Sequence, residues 1–248
     1  ILVEGNMTTD SLAQEIQSRQ MNFTDNNRPQ KIMHVDLDYI YDPDEAQQER
    51  NLGHLLDRIR EMHVTTVFLQ AFSDPDANGS ADMVYFPNRY LPMRADLFNR
   101  VAWQIQTRTQ VGRLYAWMPL LAWDLPTSNP VSKDIVVTQQ AKAGDHLNMG
   151  YHRLSPYSED ARKVIEGLYQ DLAKSATFEG ILFHDDATLS DYEDASPDAL
   201  KAYEKIGLPT DLDEIRKDDA KLQKWTAFKT ETIDSFAQDL AQKVRYYQ

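Results

Sequence analysis

Residues 180–186 read Gly-Ile-Leu-Phe-His-Asp-Asp, an apolar run that stops abruptly on a histidine and two adjacent carboxylates, with further acids at Asp191, Glu193 and Asp194. A run of this length and composition is that of a buried strand. Acids at such a strand end either solvate a loop or stand at the mouth of an active site. Upstream, the same design recurs. Residues 31–41 (KIMHVDLDYIY) form a two-faced strand, with Met33, Val35 and Leu37 on one side and His34, Asp36 and Asp38 on the other. Residues 65–72 (TTVFLQAF) and 113–121 (RLYAWMPLL) are two more strands, the latter running into Trp123 and Asp124.

Between the strands lie helical patterns. Leu52, Leu55, Leu56, Ile59 and Met62 recur at helical spacing in 47–63, as do Phe98, Val101, Ala102 and Ile105 in 96–108. Val164, Ile165, Leu168 and Leu172 mark 158–176, and Leu222 to Val244 mark the last helix. By the same spacing Trp103 and Trp225 are expected in the core. A polar excursion fills 126–157, and residues 1–30 look like a linker or lead-in from an upstream domain. Strand and helix in alternation mean βα units on a parallel sheet, which places chemistry at the carboxyl ends of its strands. The expected fold is α/β, a (β/α)8 TIM barrel. A full barrel takes about 250 residues, yet only about four βα units are found, so 31–248 is expected to carry the first half of a barrel truncated at its C-terminus.

The chain has 248 residues, 42% of them hydrophobic and 26% charged, a globular rather than a disordered composition. No stretch approaches the ~20 apolar residues of a membrane span. Residues 1–6 have neither the basic region nor the apolar core of a signal peptide. The first residue is not methionine, so a fragment of a longer protein is expected. Against 26 basic residues stand 39 acidic ones, a net charge of −13. That counts against nucleic acid and suits a neutral or cationic partner. With no cysteine, disulfides, thiol chemistry and thiolate metal sites are excluded.

Two constellations carry the chemistry. Alternation puts Leu182, His184 and Asp186 on one face and Phe183 and Asp185 on the other. Asp186 is therefore the expected acid, Asp185 its partner or alternate, and His184 the orienting group. Glycoside hydrolysis needs a protonated carboxyl for the leaving oxygen and a second group ~5 to 10 Å away, and a carboxyl crowded by another has a raised pKa. The competing reading is a helix cap and a satisfied core histidine. His34, Asp36 and Asp38 offer sugar-hydroxyl acceptors, metal ligands or a purely structural cluster. Residues 73–79 (SDPDANG) resemble the start of a calcium loop but lack its closing glutamate, since Tyr85 stands at the twelfth position; a tight turn is expected. Tyr85, Phe86, Tyr90, Trp117, Trp123, Tyr151 and Tyr157 crowd the loops after the strands, as a saccharide groove needs. No metal and no cofactor is expected.

The segments KIMHVDLDYIYD (31–42), FLQAFSDPD (68–76), FPNRYLPMRAD (86–96), YAWMPLLAWDL (115–125), YHRLSPY (151–157) and GILFHDDATLSDYEDASP (180–197) resemble the C-terminal domain of bacterial poly-β-1,6-N-acetyl-D-glucosamine N-deacetylases, periplasmic proteins of biofilm exopolysaccharide export. The resemblance implies a (β/α)8-type barrel whose acidic groove binds the partially deacetylated polymer and, in some relatives, hydrolyses it. It implies catalytic or binding roles for His184, Asp185 and Asp186, and groove positions for Asp36, Asp38, Trp117 and Tyr151; Trp123 is expected to bind substrate with them. It also implies a periplasmic, outer-membrane-associated parent, an upstream deacetylase domain and an export porin as partners. No deacetylation is expected from this chain, which lacks that domain. The alternatives are a non-catalytic polysaccharide-binding domain, or an amylase-like or chitinase-like enzyme acting on ordinary glucans or chitin.

Overall fold

The computed structural model describes residues 30–139 and 152–248, together with Gln14 and Ile16, which are helical. Tyr151 and most of the expected lead-in lie outside the described residues.

Four parallel strands in the order β1-β2-β5-β6 make the main sheet. They are β1 (Ile32–Val35), β2 (Thr66–Gln70), β5 (Arg113–Met118) and β6 (Gly180–Phe183), with β3 (Phe72–Ser73) and β4 (Met83–Val84) pairing as a small antiparallel hairpin just after β2. Register aligns His34 with Phe68, Phe68 with Tyr115, and Tyr115 with Gly180. The next row towards the carboxyl ends brings Gln70, Trp117 and Leu182 together. Along β5, Leu114, Ala116 and Met118 are buried while Arg113, Tyr115 and Trp117 are half-buried, the alternation expected of a strand with one face under helices.

The helices are α1 (Glu45–Glu61), α2 (Phe98–Arg108), α3 (Glu159–Ser175), α4 (Pro197–Lys205), α5 (Leu212–Arg216) and α6 (Asp219–Arg245). Side-chain caps begin most of them: Asp44 accepts from Ala46 N, Ser158 from Ala161 N, Ser196 from Ala199 N and Asp218 from Ala220 N. The apolar stripes read from the sequence, Leu52 to Ile59, Phe98 to Ile105 and Val164 to Leu172, pack into one core with the buried strand residues. Four βα units in sequence on a parallel sheet make half of a (β/α)8 barrel. No helix among the described residues is long and apolar enough to cross a membrane.

Three details differ from expectation. β1 ends at Val35, because the Asp36 carboxylate accepts from Asp38 N and caps a 3-10 turn over Leu37–Tyr39. Trp225 is buried in a second, smaller core with Tyr203, Leu212 and Ile215, but Trp103 is 49% exposed, since it faces away from the stripe that α2 buries. Beyond β6 three helices follow, where the sequence pattern marked only the last of them. Gly180 holds its place for a packing reason: a Cβ there would stand 3.3 Å from the Tyr115 ring, tight enough that the ring would have to shift.

Candidate active site

The inner face of the sheet carries an unusual number of rings. His34 meets Phe68 edge-on at 4.9 Å between centroids and Trp117 at 5.3 Å. Phe68 meets Tyr115 at 5.7 Å, and Phe72 from the hairpin meets Trp117 at 5.7 Å. His184 closes the set, 5.4 Å from Trp117 and 5.7 Å from Phe72. Strand register produces this layer, since His34, Phe68 and Tyr115 share one row and Trp117 sits in the next. The ring faces make an apolar floor at the carboxyl end of the sheet, suited to the C–H face of a sugar.

At the edge of that floor the chain turns out of β6. His184 N still donates to Met118 O at 2.8 Å, so the ladder extends one residue past the strand. His184 Nε2 lies 3.2 Å from Asp185 Oδ1, and the Asp185 side chain is 75% exposed. Asp186 turns the other way and is fully buried. Its oxygens accept from three consecutive backbone N–H groups at the end of β5: Leu120 at 3.0 Å, Leu121 at 2.5 Å and Ala122 at 2.5 Å. Burial pushes its pKa up, while those N–H groups and the neighbouring His184 pull it back. Asp186 was the expected acid, but a carboxylate shut from solvent and occupied by backbone donors is a tether between β5 and β6. Strict alternation misplaced it because the strand has already ended.

The β1 end is built differently. Asp38 Oδ1 accepts from Ser73 Oγ at 2.6 Å, from Arg94 Nη1 at 2.7 Å and from the Tyr85 hydroxyl, and Asp38 Oδ2 from Asp74 N at 3.3 Å. Arg94 also lies over the Tyr41 ring at 4.5 Å. Burial, and then the hydrogen bond to Asp38, raise the Tyr85 pKa. Asp36 is half-buried; burial raises its pKa, the Asp38 N–H lowers it, and the Asp38 charge raises it again. Asp36, Asp38 and His34 therefore do not share one open face: His34 joins the ring floor, Asp36 caps a turn and Asp38 is enclosed by partners.

More carboxylates continue along the rim. Asp74, Asp76 and Asp82 offer oxygens within 4.8 Å of one another. Of these, Asp74 already accepts from Asn78 N at 3.0 Å and Gly79 N at 2.7 Å, the tight turn expected of this segment, and Gly79 has φ +88°. Burial and the charges of Asp76, Asp124 and Asp74 push Asp82 up to about 6. Asp124 stands at the β5 end, 3.6 Å from His152. Trp123, expected to bind substrate, is only 1% exposed and its indole donates to Leu120 O at 3.3 Å, so it is core. It directly follows the three residues whose N–H groups donate to Asp186.

The loop after β6 is tied down by a buried polar network. Arg153 donates to Glu193 Oε1 at 2.7 Å and to Thr188 O at 2.6 Å. Burial pushes the Glu193 pKa up, but the Ser190 N–H and Arg153 outweigh it, and the net direction is down. Asp194 accepts from Ser155 Oγ at 2.6 Å, Ser196 N at 2.7 Å and Val137 N at 3.0 Å. Lys229 from α6 donates to Ser190 O at 2.6 Å and Glu193 O at 3.1 Å. Sequence reasoning missed Arg94, Ser73, Phe72, Arg153 and Lys229, which come from loops and a distant helix and carry no local motif.

Residues 34–248 match the family described as "Hypothetical glycosyl hydrolase family 13". The chain belongs to this family. The chain is also 46% identical, over 246 residues, to the poly-beta-1,6-N-acetyl-D-glucosamine N-deacetylase of Escherichia coli strain K12, and equally to that of strain O157:H7. The match takes in 99% of this chain but 35% of those relatives, so the chain spans about a third of their length. Among solved structures, the PgaB (BpsB) glycoside hydrolase domain from Bordetella bronchiseptica superposes with a TM-score of 0.83 at 49% identity, covering 89% of this chain and 62% of that one. An alpha-L-fucosidase from Paenibacillus thiaminolyticus matches at 11% identity with a TM-score of 0.57 and shares the fold alone. The described residues hold four βα units on one parallel sheet, with the rim described above at its carboxyl end.

Proposed function

We propose that the chain binds partially de-N-acetylated poly-β-1,6-N-acetyl-D-glucosamine and hydrolyses it as an endo-glycosidase. The observation that carries the reading is the exposed Asp185 carboxyl, paired with His184 beside the floor of Trp117, Phe72 and His34. A sugar ring lying on that floor brings its glycosidic oxygen to the rim. Asp185 in its acid form gives a proton to that oxygen as the bond to the anomeric carbon breaks. Water then bonds to that carbon and returns its proton to the carboxylate. His184 orients Asp185, and Asp186 fixes the position of the turn that bears both. Asp36 lends the far side of the groove negative potential and Asp38, paired with Arg94, shapes it, while Tyr151 is the further groove residue that the resemblance implies. Free glucosamine units are cationic, and a net charge of −13 favours their approach. The names of the relatives support the polymer and the reaction class. With them goes a place in the periplasm at the outer membrane, beside an upstream deacetylase domain and an export porin.

A second reading, polymer binding without cleavage, is favoured by Asp38: the carboxylate at the opposite end of the rim is saturated by Tyr85, Ser73 and Arg94 and is a poor second catalytic group. Mass spectrometry of the polymer after incubation with the chain separates the two. Short oligomers, absent with Asp185→Asn, support hydrolysis. Unchanged chain lengths together with measurable binding favour the binding domain, and no interaction with the polymer overturns both.

A further inference from the structure

The rim loop that follows Asp186 is gripped along its main chain by cations from three separate segments. Arg153 donates to Thr188 O at 2.6 Å, Arg216 of α5 to Asp191 O at 3.1 Å, and Lys229 of α6 to Ser190 O at 2.6 Å and Glu193 O at 3.1 Å. Guanidinium groups stay charged at any pH the fold survives. Lys229 is the member of the set that can give up its proton. Between Leu189 of the loop and Ile233 of α6, a cavity of about 170 Å³ leaves the loop room to lift away from the helix.

The surroundings of Lys229 serve the neutral amine as well as the ammonium. The residue is 4% exposed. Its two carbonyl partners take two hydrogens, all that an amine has to give. The third proton of the ammonium is left with the face of the Trp225 ring, whose centre lies 3.6 Å from Nζ. Around it stand Asp191, Glu193 and Asp194 of the loop, and Asp234 further along α6. The Glu193 carboxylate is taken by Arg153, Thr138 and Ser190 N, and that of Asp194 by Ser155, Ser196 and Val137 N. Arg216 lies over the Tyr192 ring at 4.1 Å, and the Tyr203 hydroxyl donates to Asp194 O at 2.9 Å. Burial lowers the Lys229 pKa to about 8, against an ordinary value of 10.5, while the charges of Asp191, Glu193 and Asp194 act to raise it. Lifting the loop returns the group to water and to its ordinary value. Opening therefore takes up a proton between pH 8 and 10.5, and each unit of rising pH inside that window makes it up to ~10-fold rarer.

We propose that Lys229 is the latch of the rim loop, a positioning residue that acts through the loop on the turn bearing Asp185, and that the latch tightens when the ammonium becomes an amine. The effect on cleavage rests on the hydrolase reading above; the latch itself does not. Deuterium uptake of peptides spanning residues 187–196, followed by mass spectrometry at pH 8.5 and 9.5, tests the latch without any ligand. Within that stretch Ser190 N donates to Glu193 Oε2, Glu193 N to Ser190 O and Ala195 N to Val137 O, so these amides exchange when the loop opens. Hydroxide catalyses exchange, so a loop of fixed opening frequency exchanges ~10-fold faster per pH unit. In this chain rarer opening offsets that rise, and uptake is expected to change by less than ~2-fold. Lys229→Gln keeps two N–H donors and cannot titrate, so its loop is expected to regain the full ~10-fold rise. Lys229→Met removes the donors; its loop is expected to exchange faster at both pH values, and kcat for the polymer to fall ~10-fold with KM little changed. A ~10-fold rise in the unaltered chain, or the same slope in the chain and in Lys229→Gln, would overturn the latch. Should neither variant fold, the slope of the unaltered chain, read from unsplit mass envelopes, still decides. An unaltered kcat in Lys229→Met despite faster exchange would overturn the positioning role. No cleavage by the unaltered chain would overturn the hydrolase reading instead, with the exchange slopes still deciding the latch.

Discussion

The carboxylates at the two outer strands of the sheet are held in opposite ways. At the end of β1, Asp38 is met by side chains: a hydroxyl, a phenol and a guanidinium converge on it from three separate segments. At the end of β6, the hydrogen bonds that Asp186 accepts among the described residues come from main chain, and the side chain of its neighbour Asp185 is largely exposed. One end neutralises its charge by pairing. The other buries one carboxylate and leaves the second largely exposed. The contrast shows that a run of acids at strand ends is not a uniform site, because acids of similar sequence context do different work according to which donors close around them.

The sharpest way to break this contrast is Asp185→Asn. If Asp185 is the reacting acid, cleavage should fall by ~10² to 10⁴ while stability stays within ~0.5 kcal/mol of the parent. Oligomer release at the original rate would remove Asp185 from the mechanism. Asp186→Asn should do the reverse, with stability as its primary loss. The amide presents its own N–H₂ to backbone donors, leaving a buried N–H unmatched at a cost of ~2 to 3 kcal/mol, to be read as a lower urea midpoint. A midpoint within error of the parent would mean that the tether is dispensable.

Asp38→Asn should cost less, ~1 to 2 kcal/mol, because Asp38 and Arg94 are each about a quarter exposed and water takes up part of the lost pairing. Polymer binding should weaken with it, since Arg94 would then carry an uncompensated positive charge into the groove. The smallest effect belongs to Asp82. Its pKa in the folded chain, about 6, lies above its ordinary value of 3.8, so the folded state holds the proton more tightly than the unfolded state. Stability linked to this group is therefore greatest below about pH 4 and declines as pH rises towards 6. Asp82→Asn should stabilise the chain by up to ~1 kcal/mol above pH 6 after allowing for solvent screening, and by nothing at pH 4. Denaturation midpoints at the two pH values check the sign.

Much of the framework was legible in the sequence. Helical stripes such as Leu52 to Ile59 and Val164 to Leu172, and strands such as 113–118, have strong periods that tertiary packing reinforces. Legibility failed where the period ended. Alternation carried past Val35 put Asp36 and Asp38 beside His34, and carried past Phe183 it put Asp186 on the open face. In the first case a carboxylate capped a turn, and in the second the chain had left the ladder, so facing no longer followed parity. The Asp38 partners lie 35, 47 and 56 positions away, on segments with no period of their own, and only the fold brings them together. Trp123 was misread for a related reason: composition placed an aromatic in a rim loop, but its ring is buried in the main core.

The turn at residues 120–122 has a consequence for how the family can vary. The three donors to Asp186 are peptide N–H groups of Leu120, Leu121 and Ala122, and every amino acid except proline supplies one. Side chains at 120–122 are thus free to drift as far as packing allows, while the aspartate is fixed by a partner that leaves no trace in the alphabet of side chains. A substitution at Asp186 would therefore find no compensating side chain to change with it, because its partners are peptide groups.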